Sequence, residues 1–64
     1  MAKEKDYNDK DVEFVQMMIP HHQSAVDAAL SEYKDGKNDE IKKMAMDIFF
    51  SQSSEIQKFR DWLN

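Results

Sequence analysis

The chain has 64 residues, of which 13 are acidic and 9 basic, with a net charge of −4 and no cysteine. This length allows one domain at most, and a domain this small usually needs disulfides, a metal or a partner subunit. Because cysteine is missing, disulfides and thiolate metal sites are excluded, and a metal or an oligomer remains. The basic residues are not clustered, so we expect no binding to nucleic acid or to a membrane.

The chain contains one Gly and one Pro, which favours an all-α fold because a β protein needs many turns. Residues 1–8 are polar, and we predict a disordered N-terminal segment there. The remaining residues, 9–64, are predicted to form a helical hairpin domain, with helix 1 at about 9–34 and helix 2 at about 38–63. The short connection makes the two helices antiparallel neighbours.

Short polar side chains mark the predicted helix ends. Asn8 or Asp9 caps helix 1 and Asn38 or Asp39 caps helix 2, because each carries an acceptor for the free N–H groups of a first turn. Gly36 lies in the one turn signal of the chain and is predicted to end helix 1 in the left-handed conformation.

Both predicted helices have apolar faces, and that of helix 1 is wider than contact with one partner helix requires. On helix 2 the spacing alternates between four and three, which is a heptad seam interrupted by two polar residues. The seam consists of Ile41, Ala45, Ile48, Gln52, Glu55, Phe59 and Trp62. The two helices cannot fully cover each other, so we predict a homodimer or higher homo-oligomer in which hairpins pair as a four-helix bundle.

Two Met-x-x-x-His pairs lie half-way along helix 1. Met17 precedes His21 by four residues and Met18 precedes His22 by four, so each pair stacks on one helix face. Pro20 lies among them in the middle of the helix, where it removes a backbone hydrogen bond and is expected to kink helix 1. The alternative is that helix 1 starts after Pro20.

Polar residues of helix 2 are predicted to lie level with these histidines. In an antiparallel hairpin centred on Gly36, Gln52 and Glu55 fall at the height of His21 and His22. Thioether sulfur suits Cu(I), and imidazole accepts copper, zinc, nickel and iron, so this layer predicts a metal site that favours copper. The predicted ligands are Met17, Met18, His21 and His22, with Gln52 and Glu55 orienting the imidazoles.

A structural interpretation of the same layer remains open. Met17 and Met18 are then ordinary core residues, and His22 hydrogen-bonds Glu55 so that a buried polar layer sets helix register without any metal. A di-iron oxidase is excluded because no Glu lies three residues before either histidine. No catalytic pattern is found, so we expect a protein that is not an enzyme.

Two segments resemble the signatures of a known family, the domain-of-unknown-function family 305, which belongs with ferritin-like helical proteins. The first signature resembles the run FVQMMIPHHQSA, from Phe14 to Ala25. The second is similar to Ala45-x-x-Ile48-x-x-x-Gln52-x-x-Glu55-Ile56, followed by Trp62-Leu63. The resemblance covers nearly the whole chain beyond the first ten residues.

The resemblance implies a homodimer, because many members carry two hairpin repeats in one four-helix bundle and this chain holds one repeat. Some members bind copper or silver through Met and His and are tied to copper resistance, which implies a role in metal tolerance or storage. Members are commonly secreted or periplasmic, although the charged residues 1–6 show no signal peptide. Where members often have Met, this chain has Ala28 and Phe59, so two soft ligands are missing.

Overall fold

The computed structural model describes residues 6–64, which form two helices joined by a three-residue connection. Helix α1 spans Asp9–Asp35 and helix α2 spans Asp39–Leu63, and no strand occurs within the described residues. The predicted all-α hairpin is confirmed, and the predicted helix ends agree with the observed ones to within one residue. Neither helix combines the length and the apolar character needed to cross a bilayer.

Aromatic pairs connect the start of α1 with the end of α2. The two helices are therefore antiparallel. The rings of Tyr7 and Trp62 meet edge to face with centroids 5.6 Å apart. Those of Phe14 and Phe59 meet in the same way at 6.4 Å. Such pairs stabilise a fold by about 0.5–1.5 kcal/mol each beyond the area they bury. The segment 1–8 predicted to be disordered lies mainly outside the described residues.

Asparagine side chains begin both helices. The Asn8 side-chain oxygen accepts a hydrogen bond from the Asp11 N–H at 3.2 Å, and the Asp11 carboxylate accepts one from the Asn8 N–H at 3.0 Å. The Asn38 side-chain oxygen accepts from the Ile41 N–H at 3.0 Å. Each cap stabilises its helix by about 1 kcal/mol because it satisfies N–H groups that have no partner within the helix.

Gly36 ends α1 in a way that the sequence did not predict. Its backbone is extended, with φ −71° and ψ 166°, so the predicted left-handed conformation is wrong. The Gly36 N–H donates to the Glu32 carbonyl oxygen at 2.7 Å. A Cβ at this position would lie 2.5 Å from that same oxygen. Glycine is therefore needed for close approach of the backbone, and the chain leaves the helix directly in extended form towards Asn38.

The contact between the helices is small and apolar. Five side chains are buried, and they come from both helices: Val15, Val26, Ala29, Ala45 and Ile56. The predicted seam of α2 is only partly at this contact, because Ile41 and Ile48 remain 48% and 45% exposed. Helix α2 instead turns Ala45, Ile56 and the half-buried Phe49 towards α1. Part of the heptad pattern is therefore only partly covered by the neighbouring helix.

An apolar groove runs between the helices near the connection, and we call it the alanine groove. It is lined by Ala25, Ala28, Ala29 and Glu32 of α1 and by Ile41, Met44, Ala45 and Ile48 of α2. The small alanine side chains of α1 leave the groove open, while the larger side chains of α2 form its second wall.

Helix α1 passes through Pro20 without interruption, so the alternative that it starts after Pro20 is wrong. Proline has no N–H to donate to the Gln16 carbonyl one turn earlier. Both residues are exposed, so water can satisfy that carbonyl. The Ser24 hydroxyl donates to the Pro20 carbonyl oxygen at 3.2 Å.

We expect Pro20→Ala to raise the free energy of unfolding by about 1–3 kcal/mol, because it restores a helical hydrogen bond and removes a steric clash. Urea unfolding followed by circular dichroism measures this at one fixed protein concentration. Gln16→Ala is the control, since it changes an exposed side chain on the same face without altering the backbone. Unchanged or lower stability of Pro20→Ala would show that the fold depends on the proline geometry.

Candidate metal centre

One polar contact crosses between the helices at mid-length. The His22 Nε2 atom of α1 lies 2.5 Å from the Glu55 Oε1 atom of α2. An ionised carboxylate can only accept, so Nε2 carries the hydrogen and donates it. The His22 side chain is 13% exposed and that of Glu55 is 49% exposed. The prediction that Glu55 lies level with His22 is therefore confirmed for this pair.

The second nitrogen of the His22 ring has no partner. Nδ1 is buried, and no hydrogen bond to it is found among the described residues. In the neutral form of this tautomer, Nδ1 carries a lone pair that no described residue uses. A buried polar atom left unpaired costs about 1–3 kcal/mol. The ring is therefore held at one nitrogen, and its other nitrogen is enclosed without a hydrogen-bond partner among the described residues.

Two rings lie close to His22, one from each helix. The Phe59 ring lies edge-on to it with centroids 5.5 Å apart, and the His21 ring lies at 6.5 Å. Gln52 is half-buried one turn before Glu55. Sequence reasoning did not include Phe59 in the layer, although its place four residues after Glu55 puts it on the same stripe of α2.

The four predicted ligands divide into two pairs. Met18 and His22 are half-buried between the helices, whereas Met17 and His21 are exposed, Met17 at 57%. This follows from helix geometry, because residues four apart share a stripe while adjacent residues point about 100° apart. Each stripe thus carries one thioether and one imidazole. A single hairpin does not direct all four groups to one point.

The histidine and carboxylate side chains of the described residues do not form a metal site within one chain. Across residues 6–64, no three side chains of His, Cys, Asp or Glu gather closely enough to hold a metal ion. Glu55 is already hydrogen-bonded to His22. Any metal bound by this layer must therefore use the methionine sulfur atoms, a second chain, or both.

We expect Glu55→Ala to lower the free energy of unfolding by about 1 kcal/mol, because His22 loses its acceptor while water replaces part of the contact at this half-exposed position. Glu55→Gln is the matched control, since its side-chain carbonyl can still accept from Nε2. Urea unfolding gives the stability, and the ring N–H resonance in NMR spectra reports the hydrogen bond. Equal stability of the alanine variant and the wild type would contradict this role.

Comparison with known proteins gives one match. A family model described as "Domain of unknown function (DUF305)" matches residues 1–63. Searches of the curated proteins and of the solved structures each found no significant match. The family match includes both Met-x-x-x-His pairs and the stretch of α2 that carries Gln52 and Glu55, so the predicted resemblance is confirmed. Because the model spans almost the whole chain, this helical hairpin belongs to the DUF305 family.

Proposed function

We propose that this protein binds a soft metal ion, copper as Cu(I), in metal tolerance or storage, and that its role is binding rather than catalysis. The observation that carries the proposal is the state of the His22 ring. One nitrogen contacts a carboxylate oxygen, and the other is buried without a hydrogen-bond partner among the described residues. Histidines that ligate metals almost always donate their second ring N–H to a carboxylate, a carbonyl or water.

The donor atoms fit a soft ion better than a hard one. Thioether sulfur and imidazole nitrogen are ligands of Cu(I), whereas Mg²⁺ and Ca²⁺ prefer carboxylate and carbonyl oxygens. The proposed ligands are Met17, Met18, His21 and His22. Glu55 fixes the orientation of the His22 ring through the contact at Nε2. Gln52, half-buried at the same level, is the second residue proposed to orient the imidazoles.

We also propose that two copies assemble into a four-helix bundle. Support comes from the large apolar side chains that the hairpin leaves exposed, among them Phe14, Met17, Met44 and Ile48. Soluble monomers rarely expose contiguous apolar patches of this kind without a partner. A homodimer also supplies what one chain lacks, namely a second set of sulfur and nitrogen donors.

A second candidate function is a structural or interaction module without metal. It is favoured by the His22–Glu55 contact itself, which is sufficient to fix the register of the two helices. The two candidates differ at Nδ1 of His22, which is a ligand in one and an unused atom in the other.

For the metal proposal, we expect anaerobic titration against a chromogenic Cu(I) chelator to show binding tighter than micromolar. Glu55→Ala should weaken binding about 10- to 100-fold, because the ring loses the carboxylate that orients it. His22→Gln should weaken it at least as much, since its amide can still donate to Glu55 but offers no nitrogen lone pair. Met17→Leu should also weaken binding.

Met46→Leu is the matched control for Met17→Leu. It makes the same chemical change on a half-buried residue of α2 that is not a proposed ligand, so its affinity should equal that of the wild type. If the wild type binds no Cu(I), or if His22→Gln binds it as tightly as the wild type, the metal proposal is contradicted. The structural or interaction module is then the remaining candidate function.

For the assembly, we expect sedimentation equilibrium of metal-free protein at micromolar concentration to give twice the chain mass of 7.6 kDa. The melting temperature should rise with protein concentration, because mass action favours the folded dimer. A single 7.6 kDa species with a constant melting temperature would contradict the four-helix bundle.

A further inference from the structure

An open pocket lies at the end of the hairpin where α1 begins and α2 ends. Four of the seven aromatic residues of the chain line it: Tyr7, Phe14, Phe59 and Trp62. Its volume of about 390 Å³ falls in the range usual for small-molecule sites, about 300–1,000 Å³. We call it the aromatic pocket. The alanine groove, by contrast, is lined by aliphatic side chains and Glu32.

The rings of the aromatic pocket meet at nearly right angles. The planes of Tyr7 and Trp62 are 81° apart, and those of Phe14 and Phe59 are 82° apart. Perpendicular rings form a corner, in which one bound group can contact two rings at once. The face of an aromatic ring carries partial negative charge and attracts a cation within about 6 Å of the ring centre. Aromatic rings around a concave site therefore favour a cationic ligand.

Charged side chains line the same pocket, and acidic ones outnumber basic ones. They are Asp6, Asp11 and Lys58. Asp11 also accepts a hydrogen bond from the Asn8 N–H, so the cap of α1 fixes its position beside the pocket. That cap also meets the partial positive charge at the start of α1. The excess of negative charge in the lining has the same sign as the net charge of the chain, −4, and both attract cations.

Mutual packing of the rings does not account for the whole arrangement. Tyr7 and Phe14 remain 43% and 52% exposed, so the four rings leave the pocket open instead of closing over it. Packing also gives no reason for carboxylates beside the rings. A pocket that combines aromatic walls with a few charged groups has the composition of a ligand site.

We propose that the aromatic pocket binds a small organic cation through an alkylated ammonium group, with Phe59 and Trp62 contacting its alkyl groups and Asp6 and Asp11 supplying opposite charge. The alkyl groups give the ligand an apolar surface that the rings cover, while the ammonium keeps the charge that rings and carboxylates attract. A simple ammonium ion or a small divalent metal ion holds its water more strongly and has no apolar surface. This inference does not rest on the proposed metal function.

We expect the ligand to be a dissolved small molecule and not the headgroup of a lipid. The three charged residues that line the pocket are all exposed: Asp6, Asp11 and Lys58. Two of them are acidic, whereas surfaces that insert among lipid headgroups combine aliphatic and aromatic side chains with Lys and Arg.

The need for charge is tested with choline and with neohexyl alcohol, in which a carbon atom replaces the ammonium nitrogen of choline. The two molecules have the same shape, but only choline is charged. Trp62 is the one tryptophan of the chain, so its fluorescence reports binding. We expect choline to bind with a dissociation constant of about 1 mM or lower, and about tenfold or more tightly than the alcohol. Equal affinities for the two molecules, or no binding of choline, would overturn the proposal.

The role of the rings is tested by Trp62→Leu and Trp62→Phe. The methyl resonance of choline in proton NMR spectra gives the affinity in both variants, and circular dichroism checks that they are folded. Trp62→Leu should weaken binding about tenfold, and Trp62→Phe should weaken it less, because a phenyl ring keeps part of the attraction for the cation. Equal affinities of the two variants would contradict the proposal.

Phe50→Leu is the matched control for Trp62→Leu. It also replaces an aromatic side chain by leucine, at a residue that is 66% exposed and does not line the pocket. Its affinity for choline should equal that of the wild type. Weakening as large as that of Trp62→Leu would show that the pocket is not the site.

The charges are tested by two substitutions with opposite expected effects. Asp6→Asn should weaken choline binding about two- to fivefold, and Lys58→Gln should tighten it by a similar factor. Both residues are exposed, so the fold should be kept. Lys43→Gln, the same change roughly 22 Å away along α2, should leave the affinity unchanged because salt screens that distance. Reversed effects of Asp6→Asn and Lys58→Gln would show a site for anions and overturn the proposal.

Vesicles of phosphatidylcholine test the source of the ammonium group. At equal concentrations of choline groups, we expect free choline to occupy the pocket and the protein to stay in solution when the vesicles are sedimented. Sedimentation of the wild type with the vesicles, lost in Trp62→Leu, would overturn the assignment to a dissolved small molecule.

Discussion

Two helices can cover only one side of each other, and this constraint governs the rest of the structure. The buried residues are few and small or branched: Val15, Val26, Ala29, Ala45 and Ile56. A chain of 64 residues with this interior buries little apolar surface. The stabilising free energy from that burial is small compared with the conformational entropy that is lost on folding. The caps of Asn8 and Asn38 and the aromatic pairs add local stability. None of these covers the exposed side chains of Phe14, Met17, Met44 and Ile48.

His22 lies at this limited contact between the two helices, and it is the residue on which the proposed function depends. It occupies the middle of α1, where a bundle of antiparallel helices has its most enclosed layer, and its partner Glu55 comes from the other helix. An apolar residue there would add more stability than a polar pair, because burying polar groups brings little net gain. The proposed metal binding rests on this histidine, which is held at one nitrogen and has no hydrogen-bond partner at the other among the described residues.

The sequence predicted the helices, their caps and the level of Glu55 because each depends on local spacing or on hairpin symmetry. It did not predict the conformation of Gly36, because close approach to the Glu32 carbonyl depends on the exact path of the turn. The incomplete burial of the heptad seam was also missed: a heptad seam shows that a helix has a neighbour but not how completely that neighbour covers it, and Ile48 remains 45% exposed. The four proposed ligands divide into two pairs because of helix geometry. The residue spacing alone would have been sufficient to predict this division.

The exposure of Met17 has a chemical consequence beyond ligation. An accessible thioether is readily oxidised to the sulfoxide, which is polar and no longer a soft donor. Met17 is 57% exposed and shares its stripe with Phe14 and His21. A single oxygen atom added there would place a polar group on an apolar surface and take a sulfur ligand away. The exposed residue proposed as a soft-metal ligand is thus also a site of oxidation, and enzymatic reduction of the sulfoxide can reverse that change.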